Sequence, residues 1–267
     1  MRSMRAIRMR SGIARNHGAS MPASALLLAA RVASLNLCTD EYLLLLARPS
    51  EIASVSFLSQ DRRESALWQR AKQFPANDGS LEGVLGAKPD VVMTMGGGGR
   101  ATSLIAKRLG MRTVDLKPTM TIDDVAANFR LVATALGAPS RAAPWTARLQ
   151  RLKMSAPRKQ TDAIWISGGG QSLSVPSAGA DWLRLAGLKQ RALPNGRASL
   201  ESLLTRPPAV LVESSYRRGQ VSAGTAWLDH PIVRGLRSKR LQTDGRAWTC
   251  MGPLLIPEVE RLRVAVQ

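Results

Sequence analysis

The feature that most constrains the fold is a segment that occurs twice in the chain. Residues 80–93 read SLEGVLGAKPDVVM, and residues 199–212, at an offset of 119, read SLESLLTRPPAVLV. In both copies the Ser is placed to cap a short helix, and the Glu lies in the first turn, where the helix dipole favours an anion. Pro then ends the helix, and the apolar run predicts a buried parallel strand. The repeat therefore predicts two halves with the same local architecture.

Strands and helices alternate in both halves. The predicted strands are residues 31–37, 52–57, 111–116 and 163–167, and the predicted helices are residues 41–47, 101–109 and 181–186. A mainly helical stretch, residues 122–136 and 142–152, separates the halves. Such alternation indicates βαβ units. The predicted fold class is therefore α/β, with two Rossmann-like lobes of mainly parallel sheets joined by a long helical connector. The predicted boundaries are 31–120 for the N-terminal lobe, 121–158 for the connector and 159–267 for the C-terminal lobe.

The first thirty residues differ in character from the rest. Residues 1–30 contain five arginines and no acid, and they end in the apolar stretch MPASALLLAA. A basic start followed by an apolar stretch is the pattern of a secretory signal peptide. Because the stretch is short and the cleavage pattern is poor, two interpretations stay open: a degenerate signal peptide, or a true start other than Met1.

The net charge of +19, from 38 basic and 19 acidic residues, raises the question of a nucleic-acid partner. Beyond the leader the basic residues come singly or in pairs, and aromatic residues make up only 4% of the chain. Single-strand binders interleave aromatic and basic residues, and that pattern is missing here. An Arg-rich solvated surface is the favoured interpretation, and no nucleic-acid partner is predicted. No apolar run reaches about 18 residues, so no membrane span is predicted.

With these features, the sequence resembles the substrate-binding proteins of ABC importers for vitamin B12 and ferric siderophores. The resemblance extends over nearly everything after the leader. The matching segments are RVASLNLCTDEYLLLL (31–46), SVSFLSQD (54–61), both copies of the repeat, and DHPIVRGLR (229–237).

The resemblance implies a periplasmic, monomeric protein that holds its ligand in a cleft between the lobes. The implied ligand is a metal chelate, either a ferric siderophore or a cobalamin-type corrinoid, with haem ranked below them. The implied partner is an ABC permease dimer with its ATPase. Docking onto that dimer would use one acid on each lobe, Glu82 and Glu201, paired with permease arginines. The alternative is that each Glu only completes the cap of its own helix.

Ligands of α/β lobes lie beyond the carboxyl ends of the strands, and this rule selects the candidate contacts. The candidate ligand-binding residues are Leu37, Thr39, Phe57, Gly97, Gly98, Arg100, Gly169, Gln171, Tyr216, Arg217 and Trp248. The aromatic side chains among them would stack on a corrin or a catecholate, or else pack in the core. Arg100, Arg217 and Arg246 would hold carboxylates or phosphate, or else remain solvated. The other five tryptophans, Trp68, Trp145, Trp165, Trp182 and Trp227, are assigned to packing.

The first lobe departs from the family where an aromatic residue is common. Residues 96–99 are four glycines followed by Arg100, so the contact there would be made by backbone or guanidinium. GGGGR matches neither a dinucleotide-binding nor a P-loop motif.

Cys38 and Cys250 are the only cysteines. A distant pair in a cytosolic protein is usually two small buried side chains, whereas in an exported protein it indicates a bridge. Our hypothesis is that the two are disulfide-bonded, which requires the C-terminal segment to return to the first lobe.

The sequence contains no recognisable catalytic set. There is no Gly-x-Ser-x-Gly elbow, and the only Cys or His residues after the leader are Cys38, Cys250 and His230. We therefore predict a binding protein without catalytic residues, resident metal or cofactor. The alternatives are a tetrapyrrole-binding paralogue that does not transport, and a basic nucleic-acid-associated protein.

Overall fold

The computed structural model describes residues 30–97, 100–215, 226 and 229–266. The described N-terminal half is built on a five-stranded sheet. Its strands are β1 (Val32–Ser34), β2 (Ile52–Ser56), β3 (Ala76–Asn77), β4 (Val91–Met95) and β5 (Arg112–Leu116). They lie in the order β3–β2–β1–β4–β5, and every pair is parallel. The helices of this half are α1 (Leu37–Leu46), α2 (Phe57–Gln60), α3 (Trp68–Ala71), α4 (Glu82–Leu85) and α5 (Arg100–Arg108).

The second half repeats the plan after two connecting helices, α6 (Ile122–Ala135) and α7 (Ala143–Met154). Its sheet has the parallel order β7–β6–β8–β9. The strands are β6 (Thr161–Ile166), β7 (Leu188–Gln190), β8 (Val210–Ser215) and β9 (Lys239–Asp244). The described helices are α8 (Ala178–Leu185), α9 (Leu200–Thr205), α10 (Pro231–Arg234), α11 (Gly245–Trp248) and α12 (Leu255–Val266). The predicted α/β class with two parallel sheets and a helical connector is confirmed.

The first strand is shorter than the sequence predicts. Residues 31–37 were expected to be extended, but β1 ends at Ser34 and α1 begins at Leu37. The reason is a cap: the Asn36 side chain accepts a hydrogen bond from the Thr39 backbone N–H at 3.0 Å. An Asn at this position satisfies an otherwise unpaired N–H of the first turn, so the helix starts four residues before the predicted Glu41.

Both copies of the repeat form the predicted helix and strand. Ser199 caps α9, and its side chain accepts from the Ser202 backbone N–H at 3.1 Å. In the first copy the Ser80 hydroxyl accepts from the Gly83 N–H at 2.9 Å at the start of α4. The following apolar runs become β4 and β8, each in the interior of its sheet.

One apolar core continues from the first sheet through the connector into the second sheet. The junction is aromatic: the rings of Tyr42 in α1 and Phe129 in α6 meet edge-on at 5.1 Å, and Phe129 stacks on Trp145 of α7 at 5.2 Å. An ion pair from Arg141, between the connecting helices, to the buried Glu51 adds a polar link to the first lobe. No helix in the described part of the chain combines the length and apolar character that crossing a bilayer requires.

Candidate functional site

The carboxyl edges of the two sheets face each other. Arg246, just after the end of β9, donates to backbone carbonyls of Arg62 and Ser65, which follow β2 in the first lobe. Cys250, a few residues further on, is bonded to Cys38 in the first turn of α1, after β1. The space between the lobes is therefore bordered by the loops where an α/β lobe places its ligand.

The disulfide that we hypothesised is present. Cys38 and Cys250 are joined across 212 positions of sequence, and no free cysteine remains in the described residues. We call residues 244–252 the strap, because this segment leaves the second sheet and attaches to the first lobe. Trp182 fixes the strap from the second lobe by donating its indole N–H to the Met251 carbonyl at 3.0 Å.

Five candidate contacts are accessible where strands end. The Phe57 ring, at the end of β2, is 55% exposed, which is unusual for a phenylalanine and leaves a ring face free to stack. Arg100 is an exposed first residue of α5. Gly97, Gly169 and Gln171 lie in the loops after β4 and β6. These five remain predicted ligand contacts.

Three other candidates lie in the interior, which corrects their expected position. Thr39 is fully buried, and its hydroxyl meets the Ser34 hydroxyl at 2.6 Å. Trp248 is 3% exposed, packs beside Trp165 and donates its indole N–H to Thr243 at 2.8 Å. Leu37 is 8% exposed. Because α1 begins at Leu37, Leu37 and Thr39 belong to a packed helix and not to a cleft loop.

The remaining candidates, Gly98, Tyr216 and Arg217, lie outside the described residues, as do Trp227 and nearly all of the predicted leader. Of the tryptophans assigned to packing, Trp165 and Trp182 are buried as predicted.

A buried carboxylate holds the turn that carries Phe57. Asp40, on α1, accepts from the Ser56 N–H at 3.1 Å, from the Ser56 hydroxyl at 2.5 Å and from the Ser59 hydroxyl. Burial raises the pKa of Asp40 to about 6, and donation from the serine hydroxyls opposes that rise. Asp40 was not selected from the sequence, although the acid pair Asp40–Glu41 directly before the apolar run YLLLL indicates a buried polar role.

Its neighbour Glu41 is also buried, and its Oε2 has no hydrogen-bond partner in the described structure. Burial first, and then the charge of Asp40, raise the pKa of Glu41 well above its usual value. A Cβ at position 252 would come within 3.1 Å of this oxygen, so Gly252 allows the strap to pass close to α1. Burial therefore favours the neutral form of Glu41, because that form avoids an unpaired buried charge.

Two short loops, after β4 and after β6, border the space between the lobes. In the first lobe Gly97, at φ +70°, donates its N–H at 2.9 Å to Asp115, which also accepts from Thr94. In the second lobe the carbonyl of Gly169 accepts from Arg197 at 2.6 Å. Arg197 and Asp115 were not selected from the sequence, because neither lies in a loop that directly follows a predicted strand.

Arg246 was considered a holder of anionic ligand groups, and the structure gives it another role. Its guanidinium bonds both oxygens of Asp244 on one side, at 2.6–3.1 Å, and the two first-lobe carbonyls on the other. These partners occupy the donors that would have recognised an anion.

Glu82 and Glu201 occupy equivalent places at the starts of α4 and α9. Both are exposed, and neither makes a side-chain hydrogen bond or ion pair with any residue that the structure describes. The cap contacts of these two helices are made by serines, so the capping alternative does not use either Glu side chain. Over the same described ranges no three His, Cys, Asp or Glu side chains are grouped to hold a metal ion.

Two parallel α/β lobes facing each other across their carboxyl edges define a two-lobed binding protein. The chain belongs to the periplasmic binding protein family, whose family model matches residues 32–188. The resemblance inferred from the sequence is thereby confirmed. No curated protein matches the chain.

Solved structures of this family share the fold. A periplasmic haem-binding protein from Pseudomonas aeruginosa is 23% identical, with a TM-score of 0.65 over 89% of this chain and 92% of that one. The periplasmic haem-binding protein HutB of Vibrio cholerae is 17% identical, with a TM-score of 0.69 over 89% and 98%. The periplasmic vitamin B12 binding protein BtuF of Vibrio cholerae is 18% identical, with a TM-score of 0.62 over 89% and 96%.

Proposed function

We propose that this protein is the substrate-binding component of an ABC importer, and that it captures a metal chelate between its lobes and delivers it to a permease dimer. The observation that carries the proposal is which acidic side chains have hydrogen-bond or ion-pair partners and which have none among the described residues. All nineteen acidic residues lie in the described ranges, and most accept hydrogen bonds or form ion pairs there. Glu82 and Glu201 are the two exposed acids that do neither among the described residues, and they are related by the repeat offset of 119.

A pair of unused carboxylates, one on each lobe, fits a partner with two equivalent basic sites. Each acid is followed three positions later by an exposed leucine, Leu85 at 42% and Leu204 at 47% exposure. Residues three apart lie on one face of a helix, so each lobe offers an acid with an apolar side chain beside it. This supports docking onto a two-fold symmetric permease.

The chelate is the cargo of the protein, and neither a resident cofactor nor catalysis is part of the proposal. The exposed Phe57 ring suits a ligand with a flat conjugated surface, such as a corrinoid, haem or a catecholate siderophore. Arg100 would add a guanidinium for carboxylates of that ligand. The disulfide agrees with an oxidising compartment, and we assign the protein to the periplasm.

Intrinsic tryptophan fluorescence tests ligand capture. The protein is titrated separately with haemin, cyanocobalamin, dicyanocobinamide and ferric enterobactin. At least one of them is expected to quench the tryptophan fluorescence saturably. The Phe57→Ala variant should bind that chelate about tenfold more weakly. Stacking of a nucleobase on an aromatic side chain contributes about 1–3 kcal/mol, and we expect a similar gain for a flat conjugated chelate. Leu104→Ala, on an exposed residue of α5, is the matched control and should bind normally. No saturable response to any of the four would contradict the proposal, and salt-dependent retention on a random oligonucleotide would favour the nucleic-acid alternative.

A further inference from the structure

The segment that presents Phe57 is held from both lobes. We call residues 56–65 the Phe57 turn; it contains α2 and the residues that lead away from it. Within the first lobe, Asp40 bonds Ser56 and Ser59, and the Gln60 side chain donates to the Phe74 carbonyl at 2.8 Å. These contacts fix the beginning of the turn.

The end of the Phe57 turn has backbone carbonyls that accept hydrogen bonds from the second lobe. Asp61 accepts three backbone N–H groups: that of Arg63 on its side chain at 2.8 Å, and those of Glu64 and Ser65 on its carbonyl at 3.0 Å. The carbonyls of Arg62 and Ser65 are left without a donor from the first lobe among the described residues. Arg246 of the second lobe supplies it, at 2.7 Å to Arg62 and 3.3 Å to Ser65.

Arg246 is itself immobilised before it reaches across. Its backbone N–H is bonded to Asp244 at 3.0 Å, and its Nε and Nη2 form a two-point pair with the same carboxylate. The planar guanidinium therefore has one edge on its own lobe and the other on the Phe57 turn. A lysine could not reproduce this arrangement, because an ammonium lacks the two-edged fork.

We propose that Arg246 is a positioning residue that clasps the Phe57 turn to the second lobe and thereby sets where the Phe57 ring stands in the cleft. The inference rests on the proposed function, in which that ring contacts the chelate. Asp40 holds the turn to its own lobe, and Arg246 sets its place relative to the opposite wall. The clasp thus links the ring contact to the separation of the lobes.

The strap makes the proposal testable without separating the lobes. Cys250, four residues after Arg246, remains bonded to Cys38 when the guanidinium is removed. Loss of the clasp is therefore expected to loosen the Phe57 turn while the lobes stay attached.

The first experiment uses the protein without ligand. Amide hydrogen exchange is compared for the wild type, Arg246→Met, Arg246→Lys and the control Arg234→Lys. Among the residues that the structure describes, Arg234 pairs with Asp229 of the same lobe at 3.0 Å. In both Arg246 variants the backbone amides of Glu64 and Ser65 should exchange about tenfold faster than in the wild type. In the control variant their exchange rates should be unchanged. Unchanged exchange in Arg246→Met overturns the clasp.

The second experiment is a double-mutant cycle with the tightest binder among haemin, cyanocobalamin, dicyanocobinamide and ferric enterobactin. Arg246→Met should weaken binding about tenfold in the wild-type background and less than about twofold when combined with Phe57→Ala, because Arg246 acts through that ring. An equal loss in both backgrounds overturns the positioning role, since it would mean that Arg246 acts on the ligand by another route. If none of the four chelates binds the wild type, the proposed function fails, and the exchange experiment still decides the clasp.

Discussion

Removing the disulfide is the sharpest test of how the strap contributes to stability. Cys38 and Cys250 close a loop with a sequence separation of 212, which includes nearly the whole folded chain. In the chain-entropy account, a cross-link over a loop of this length restricts the unfolded state by about 5 kcal/mol. We therefore expect Cys38→Ala/Cys250→Ala to lower the free energy of unfolding by several kcal/mol while leaving the native fold intact, because the core that joins the lobes does not depend on the bond.

The assay is urea unfolding, followed by tryptophan fluorescence and by far-ultraviolet circular dichroism. With a slope of about 3 kcal/mol per molar urea, a loss of about 5 kcal/mol moves the midpoint down by about 1.7 M. Coincidence of the two probes shows whether both lobes unfold together, and only then is one free energy defined. Reduced wild-type protein is the matched control, and its urea midpoint should equal that of the double variant.

A loss of less than about 1 kcal/mol in the free energy of unfolding, calculated for each protein from its own midpoint and slope, would refute the entropic argument. It would mean that the unfolded chain keeps the strap near α1 without the bond, or that strain in the native bond cancels the gain. A smaller slope in the oxidised protein is expected, because a cross-linked unfolded chain exposes less surface.

Three further predictions concern the buried and the exposed acids. The folded state keeps the Asp40 proton up to about pH 6, whereas its ordinary pKa is 3.8; stability should therefore fall by up to about 3 kcal/mol as the pH rises through this interval, and urea midpoints of Asp40→Asn should lack most of that fall. Arg141→Met removes the two-point partner of the buried Glu51 carboxylate and leaves it the more distant Arg48 guanidinium at 3.8 Å, so urea unfolding should show a loss of about 3 kcal/mol. Glu82→Gln/Glu201→Gln should bind the chelate with wild-type affinity but fail to stimulate the ATPase of a reconstituted importer, and normal stimulation would contradict the docking assignment.

The secondary structure was predictable wherever a local pattern determines it. The two repeat copies, with a serine cap, a proline and an apolar run, specify helix and strand within a few residues, and the structure follows them at β4 and β8. The start of α1 was wrong because the Asn36 cap competes with an apolar run that also suits a strand. Local sequence alone does not decide between the two, since the capped helix is stabilised by packing against α6.

The candidate site was predictable only as a set of loops. The rule that ligands lie beyond strand ends selects one edge of each sheet, but it does not say which way a side chain points. Trp248 therefore turned out to be buried, whereas Phe57 is exposed. The partners of Arg246 lie more than 180 residues earlier in the chain, and no local pattern connects them.

The links between the lobes are unevenly distributed, and this has a consequence for how the cleft opens. The strap attaches to the first lobe after β1 and β2 through the disulfide and through Arg246. On the other side, the loops after β4 and β6 make their hydrogen bonds within their own lobes among the described residues, Gly97 to Asp115 and Gly169 to Arg197. We therefore expect the cleft to open more between these two loops than beside the strap. Under the proposed function, we expect a chelate to enter between these two loops, past Gly97, and to reach the Phe57 ring near the strap.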